Sequence, residues 1–451
     1  MMWLPKRRKY LHFDLRLSGE VLAARACSPA FVAKHAFWPF IRFDAGARRY
    51  RSEERKVEHK ERLVYYAAHQ DAAIFEWYAR QLSEAYEREL TASALSEVVL
   101  AYRRSLEPPA VHAAKAFAKI REMGACTVLA LDIRSFFDTI PHQLAKGAWA
   151  RALGVSLLPH DHFRVFRAAT TFAFVEREKV NLLLGSQTGK RQRICEPSEF
   201  DVLFRKGGAV EKWDRSVGLP QGNPIASVIS NMVLLDFDRV IQAMATEAGG
   251  FYRRYADDIL VVVPGQFDET LLSAVATGLR AYGFELQDRK TAIYQVDDPG
   301  RWPRALSYLG LQYDGESVRL SDASVSRFHR KIVRGVRART VHALTLHEST
   351  PWKVEPLVCA DVNQQILVRL ANARLPFTLF TRALWLAYTH VGKRNFYDYA
   401  RMVERVTGSK EVKRQLRRHA QFLRRALVAA REDGSERGRV YKRPWRFQPP
   451  T

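Results

Sequence analysis

At 451 residues, with 47% hydrophobic and 11% aromatic residues, the chain is long enough to bury a core in two or three domains, and general disorder is excluded. No apolar run reaches membrane-spanning length, and the basic start Met1-Met2-Trp3-Leu4-Pro5-Lys6-Arg7-Arg8-Lys9 lacks the apolar stretch of a signal peptide. The 72 Lys and Arg against 48 Asp and Glu, a net charge of +24, favour a polyanionic partner, nucleic acid ahead of an acidic protein.

Residues 1 to 60, rich in Arg, Lys and aromatics, have strand and loop character. From Arg62 to Leu106 the pattern is helical, with Ile74, Trp77, Tyr78, Leu82, Ala85 and Tyr86 recurring at spacings of three and four. Pro108-Pro109 ends it, and Val111 to Met123 predicts a helix closed by Gly124. Thr127 to Ile133 then reads as a buried strand that delivers Asp132 at its end, a rigid way to present a metal-binding carboxylate. Helical segments fill roughly 144 to 176. Within them His160-Asp161-His162 has two metal-type ligands but no third and fourth, so it reads as a helix start. The loop Gly218-Leu219-Pro220-Gln221-Gly222-Asn223-Pro224 opens a long apolar helix running through Asp238, and its glycines permit close backbone approach to a ligand.

Next come two strands, Tyr252 to Tyr255 and Ile259 to Val263, with Asp257 and Asp258 at the turn between them. Side chains alternate along a strand, so the two carboxylates point different ways: one binds cation directly and the other supports it. Adjacent negative charges repel unless neutralised, and Mg²⁺ suits carboxylate and phosphate oxygens; a solvated acidic turn is the plain alternative. A helix over Thr270 to Tyr282 leads through Gly283 and a short strand to Asp288-Arg289-Lys290, followed by a strand pair over Ser307 to Tyr313. Beyond Val325 the pattern is helical and basic, around 325–346, 361–373, 377–390 and 410–430. Arg319 to Thr451 holds 28 basic and 10 acidic residues, most of the excess charge. Cys27, Cys126, Cys195 and Cys359 are scattered without CxxC spacing and read as reduced thiols of a cytoplasmic protein.

Taken in order, the strand ending in Asp132, the Gly218 to Asn231 loop and helix, Tyr255-Ala256-Asp257-Asp258, the Gly283 to Lys290 segment and the Leu309-Gly310-Leu311 hairpin resemble motifs A, B, C and D and the primer grip of reverse transcriptases. The resemblance implies an α+β right-hand polymerase: fingers over residues 1–125, a palm over 126–320 with a helical and basic insertion at 144–216, and a basic α-helical thumb over 321–451. It also implies two Mg²⁺ ions held by Asp132, Asp257, Asp258 and the backbone carbonyl of Ile133. Phe137 would exclude a ribonucleotide 2′-hydroxyl, or else serve as core. Lys290 would approach the triphosphate and protonate pyrophosphate, or be an ordinary turn lysine. Gln221 and Gly222 would contact nucleotide and template, and Arg62 would supply a cation to the triphosphate unless it is a surface arginine. Ala226 departs from the family's usual serine, with Ser227 beside it, which bears on template handling.

Lys60 to His69 and Val99 to Arg103 resemble the bacterial "unknown group", or DRT, reverse transcriptases of antiphage defence. That implies a noncoding RNA template, a DNA product made from deoxynucleotides, and possible self-association. A retron-type or group II intron-like enzyme, or a relic palm in an RNA-binding protein, are the alternatives.

Overall fold

In the computed structural model the described residues are 3–51, 56–103, 107–184, 192–266, 269–298, 301–349 and 395–437. They form two compact units: Met1–Leu106 with Cys126–Gln295, and Glu107–Ala125 with Val296–Thr451. One boundary between these units falls after Ala125 and another after Gln295, and residues 1–106 group with 126–295. The helix Pro109–Met123 belongs with the C-terminal unit, where Phe117 stacks on Tyr313 with ring centroids 4.9 Å apart.

The first unit is built on two four-stranded sheets. One carries the strands Phe40–Asp44, Leu63–Tyr66, Ala173–Glu176 and Val210–Lys212; Phe40–Asp44 pairs antiparallel with Leu63–Tyr66 and parallel with Ala173–Glu176. Sequence periodicity placed residues 62–66 in a helix and 173–176 in another. Both are strands, because four or five apolar and aromatic residues are too few to separate the two periods. The short helices Gly19–Ala26 and Pro29–Lys34 were likewise not foreseen in residues 1 to 60. Ser18 and Ser28 cap them, each accepting a bond from a main-chain N–H three residues on.

The second, central sheet lies in the order Ala292–Val296, Cys126–Asp132, Asp258–Pro264, Phe251–Tyr255. Its middle strands are antiparallel over seven residue pairs. Ile259, Leu260, Val261 and Val262 are buried, as their continuous apolar run requires of a strand covered on both faces. Against the sheet pack the helices His69–Ala92, Pro224–Met232 and Leu235–Glu247. The expected single helix through Asp238 is therefore two, broken at Val233-Leu234. The short strand expected before Asp288 is reduced to one bridge between Ile133 and Leu286.

In the second unit Leu306–Tyr308, Leu311–Tyr313 and Val318–Leu320 form an antiparallel sheet. Its first turn places Leu309 and Gly310 at φ 47° and 85°, the positive values a two-residue hairpin loop demands. Helices Asp322–Ser349, Phe396–Thr407 and Lys410–Arg437 pack beside it, with Phe328, Ile332, Val336 and Leu423 at their core. The Gln415 amide accepts from the Leu320 N–H at 2.9 Å and donates to its carbonyl at 3.1 Å, satisfying a strand edge from a helix. The expected helices at 361–373 and 377–390, and Cys359, lie outside the described residues. Among the described residues no helix is long and apolar enough to cross a membrane, and Cys27, Cys126 and Cys195 are free thiols.

Candidate active site

The acidic constellation is created by strand register. Asp132, the last residue of its strand, lies directly opposite Asp258, the first residue of the neighbouring strand. Tyr255 pairs with Asp258 across the hairpin, leaving Ala256 and Asp257 as a two-residue loop. The Ile133 N–H donates to the Asp257 carbonyl at 3.0 Å, tying that loop to the end of the Asp132 strand. Asp132 and the distant neighbours Asp257 and Asp258 therefore share one sheet end. Ala256 takes φ 57°, where glycine is the usual occupant, so the loop holds local strain beside the acids.

On the other side, Gln287 donates its N–H to the Asp132 carbonyl and Arg134 donates to Glu285, both at 2.8 Å. These bonds dock the turn Asp288–Lys290 so that the Lys290 ammonium ion-pairs with Asp132 Oδ2. Lys290 is about half exposed while the Asp132 side chain is 8% exposed, so the cation caps a nearly buried carboxylate. Asp258 has less compensation. Burial first, then the charges of Asp257 and Asp132, push its carboxyl up to about 7 despite Lys290.

Such a donor set suits a hard divalent cation. All contributions are oxygen, like charges are uncompensated at Asp258, and the Lys290 ammonium already occupies a cation's position at Asp132. Among the described residues no three His, Cys, Asp or Glu side chains are gathered as a finished metal cage. Mg²⁺ does not require one, being held by one or two carboxylates together with substrate oxygens.

The remaining candidates lie around this cluster. Phe137, in the helical turn Phe136–Thr139, is half-buried, and its carbonyl accepts from the Leu219 N–H at 2.9 Å. The Gly218 N–H donates to the Ile140 carbonyl at 2.8 Å, so the loop leading to Gln221 is laced to the segment that follows Asp132. At Gly218, with φ 96°, a Cβ would meet the Trp213 ring at 2.7 Å. Gln221 accepts at its carbonyl from the Tyr65 N–H at 2.8 Å, joining the loop to the strand preceded by Arg62. Gly222, at φ 100°, lies so close to that strand that a Cβ would meet the Tyr65 carbonyl and Val64 Cγ1, each at 2.9 Å. Asn223 caps the helix that follows by accepting from the Ile225 N–H. Ala226 is fully buried in that helix, so its position offers no hydroxyl, and Ser227 beside it is half-buried. Arg62 is exposed; its main-chain N–H is held by Asp44 at 2.8 Å, leaving the guanidinium toward solvent. His160-Asp161-His162 is a helix start, with Asp161 accepting from Tyr78 and His162 from the Trp149 indole.

Sequence reasoning missed the support beneath the hairpin. Arg254 is fully buried, its guanidinium bonded to Asp238 at 2.7 and 2.6 Å and to Asn231 and the Ala256 carbonyl at 3.2 to 3.3 Å. Strand alternation was the available signal: Arg254 shares a face with Tyr252, which is also buried and donates to Asp238 at 2.7 Å.

Residues 161–313 match the family described as Reverse transcriptase (RNA-dependent DNA polymerase). The matched segment contains Gln221, Gly222, Asp257, Asp258 and Lys290; Arg62, Asp132, Ile133 and Phe137 precede it. No curated protein matches the chain. Solved structures similar to it include a C-terminally truncated apo telomerase from Candida tropicalis (10% identity, TM-score 0.40, 59% of this chain and 53% of that one). Another is Candida albicans telomerase in complex with a TWJ fragment of telomeric RNA (10%, 0.38, 92% and 68%). The RNA-dependent RNA polymerase of a human picobirnavirus is a third (12%, 0.38, 88% and 65%). The chain thus spans about half the length of the truncated telomerase. The family match makes residues 161–313, about a third of the chain, similar to reverse transcriptase domains. The mixed α and β architecture, with an antiparallel central sheet bearing the Asp257-Asp258 hairpin, is of the right-hand polymerase kind.

Proposed function

We propose that the chain is an RNA-directed DNA polymerase that extends a primer 3′-hydroxyl with deoxynucleotides on an RNA template. The observation carrying this reading is the register that sets Asp132 against Asp258 with Asp257 in the adjoining loop. Asp132, Asp257, Asp258 and the carbonyl of Ile133 would hold Mg²⁺, which when bound stabilises the attacking and departing oxygens of an in-line phosphoryl displacement. Lys290, already drawn to Asp132, is positioned to hand a proton to the departing pyrophosphate once that carboxylate is otherwise neutralised. Phe137 bounds the sugar and excludes a 2′-hydroxyl. Gln221 and Gly222, braced on Tyr65, lie along nucleotide and template, and Arg62 reaches the triphosphate with its solvent-facing guanidinium. Residues 1–125, 126–320 and 321–451 act as fingers, palm and thumb, the last gripping RNA and hybrid by neutralising phosphates.

The likeness of Lys60 to His69 and Val99 to Arg103 to the defence-associated enzymes supports a cytoplasmic role copying a partner noncoding RNA during phage infection. Primer extension with an RNA template, a DNA primer, deoxynucleotides and Mg²⁺ tests the polymerase reading, and no incorporation by the full chain would overturn it. Sequencing the nucleic acid that copurifies from infected cells tests the defence reading. A single noncoding RNA and its complementary DNA are expected, and bulk cellular RNA without DNA would count against it.

A further inference from the structure

Five non-glycine residues among those described take a left-handed backbone, and three of them surround the acidic cluster: Ser135, Ala256 and Tyr102. For a bulky aromatic at φ 59° this conformation is unfavourable, so surrounding bonds must impose it. They are present. The Ala101 carbonyl accepts from Asn231 Nδ2 at 2.7 Å, and Asn231 Oδ1 in turn accepts from Arg254. Leu100 donates to the Arg254 carbonyl, and Arg254 donates back to Val98, both at 2.8 Å. On the far side the Arg103 guanidinium is paired with Glu87 and bonds the Ser96 and Val99 carbonyls. One buried pair, Arg254 and Asn231, thereby braces both the Tyr102 turn and the hairpin loop at Ala256.

All this bracing presents a ring that is 44% exposed. The Tyr102 ring meets Phe137 edge to face, with centroids 6.2 Å apart and planes at 77°. Its surroundings are those of the acid cluster. Partial burial, then the charges of Asp257 and Tyr255, push its phenol up to about 12, against Arg62. Beyond its contact with Phe137, the partly exposed ring offers a flat apolar face beside the carboxylates.

We propose that Tyr102 is a specificity-determining residue, its ring standing with Phe137 as the second wall around the sugar and base of an incoming deoxynucleoside triphosphate. This rests on the polymerase reading above. The contact is made by the ring face and does not require the hydroxyl.

Single-nucleotide incorporation by the full chain and its Y102A, Y102G and Y102F variants tests it. Y102G suits the left-handed backbone, so it removes the ring without adding strain. A base stacked on an aromatic ring gains binding energy, so Y102A and Y102G should raise the KM for deoxynucleotide by about tenfold. The kcat and the primer–template Kd should stay within about twofold, and Y102F should behave as wild type. The deoxynucleotide-induced rise in Tm should shrink in Y102A and Y102G and persist in Y102F. An active wild type with unchanged KM in Y102G overturns the Tyr102 assignment alone, as does weakened primer–template binding with normal KM. A Y102F defect as large as that of Y102G overturns it too, by making the hydroxyl responsible. A wild type that incorporates nothing overturns the polymerase reading, and this assignment with it.

Discussion

Two acidic arrangements share the hairpin from Phe251 to Pro264, and they are solved in opposite ways. Beneath the sheet, Asp238 is matched at once by the Arg254 guanidinium and the Tyr252 hydroxyl, all fully buried, and every charge has its counterpart. At the tip, Asp257, Asp258 and Asp132 crowd together with Lys290 as the cation close by, and the Asp258 carboxyl is pushed up to about 7. A fold under pressure for stability alone would pair the second group as it pairs the first. The difference is what the proposed function requires of the tip, negative charge held for a ligand, with the buried pair as its anchor.

The comparison is broken most severely at the tip. D257N should lower primer extension by about 10³-fold or more, the scale seen when preorganised charge stabilisation is removed, while leaving RNA affinity nearly intact. Its Tm should hold or rise, because a repelling charge is gone; strong residual extension would refute the role. At the anchor the opposite split is expected. D238A leaves the buried Arg254 charge uncompensated and should destabilise the fold by about 3 to 5 kcal/mol in denaturant unfolding. A stability near wild type would show that the pair is not the anchor.

Proton linkage sharpens the contrast further. With its folded value near 7 against an ordinary 3.8, Asp258 holds a proton that the unfolded chain has released. Below about pH 4 both states are protonated and the group is neutral for stability; between about 4 and 7 its contribution turns progressively unfavourable. Mg²⁺ should therefore raise Tm more at pH 8 than at pH 5.5, and D258N should abolish that difference in thermal melts. A smaller effect is expected at the pocket wall, where F137A should relax discrimination against ribonucleotides by about tenfold, the worth of roughly 1.4 kcal/mol. Unchanged sugar selection would return Phe137 to the core.

The C-terminal unit offers a different check, since most of the excess charge lies from Arg319 onward. RNA affinity of the full chain should fall steeply as salt rises, through counterion release. A flat salt response would separate the basic composition from RNA binding.

Legibility in the sequence followed locality. The Asp132 strand, the Asp257-Asp258 hairpin and the Pro109 and Glu269 helices announce themselves through short runs of apolar residues and the turn residues beside them. Residues 62–66 and 173–176 did not, because their strand character depends on pairing with the separate stretch Phe40–Asp44, which for 173–176 lies more than a hundred residues away. The break at Val233-Leu234 was equally hidden, whereas the strand at Phe40 falls where residues 1 to 60 showed strand and loop character. At the site, Gly222 was legible as a glycine near a ligand, yet what demands glycine there is the Tyr65 carbonyl of another strand. Tyr102 was invisible, since its importance lies in a backbone angle and in a ring from a distant turn.

By itself the sequence determined which residue types were available: three carboxylates at strand ends, a lysine after them, an aromatic five residues past Asp132, and a large positive charge. Composition and periodicity are properties of neighbours along the chain, and they survive in a list of letters. Which carboxylate faces which, how Lys290 reaches Asp132, and how a buried arginine braces two strained turns were decided only when the strands took their register. Hydrogen bonds and charge interactions act over a few ångströms of space whatever the separation along the chain.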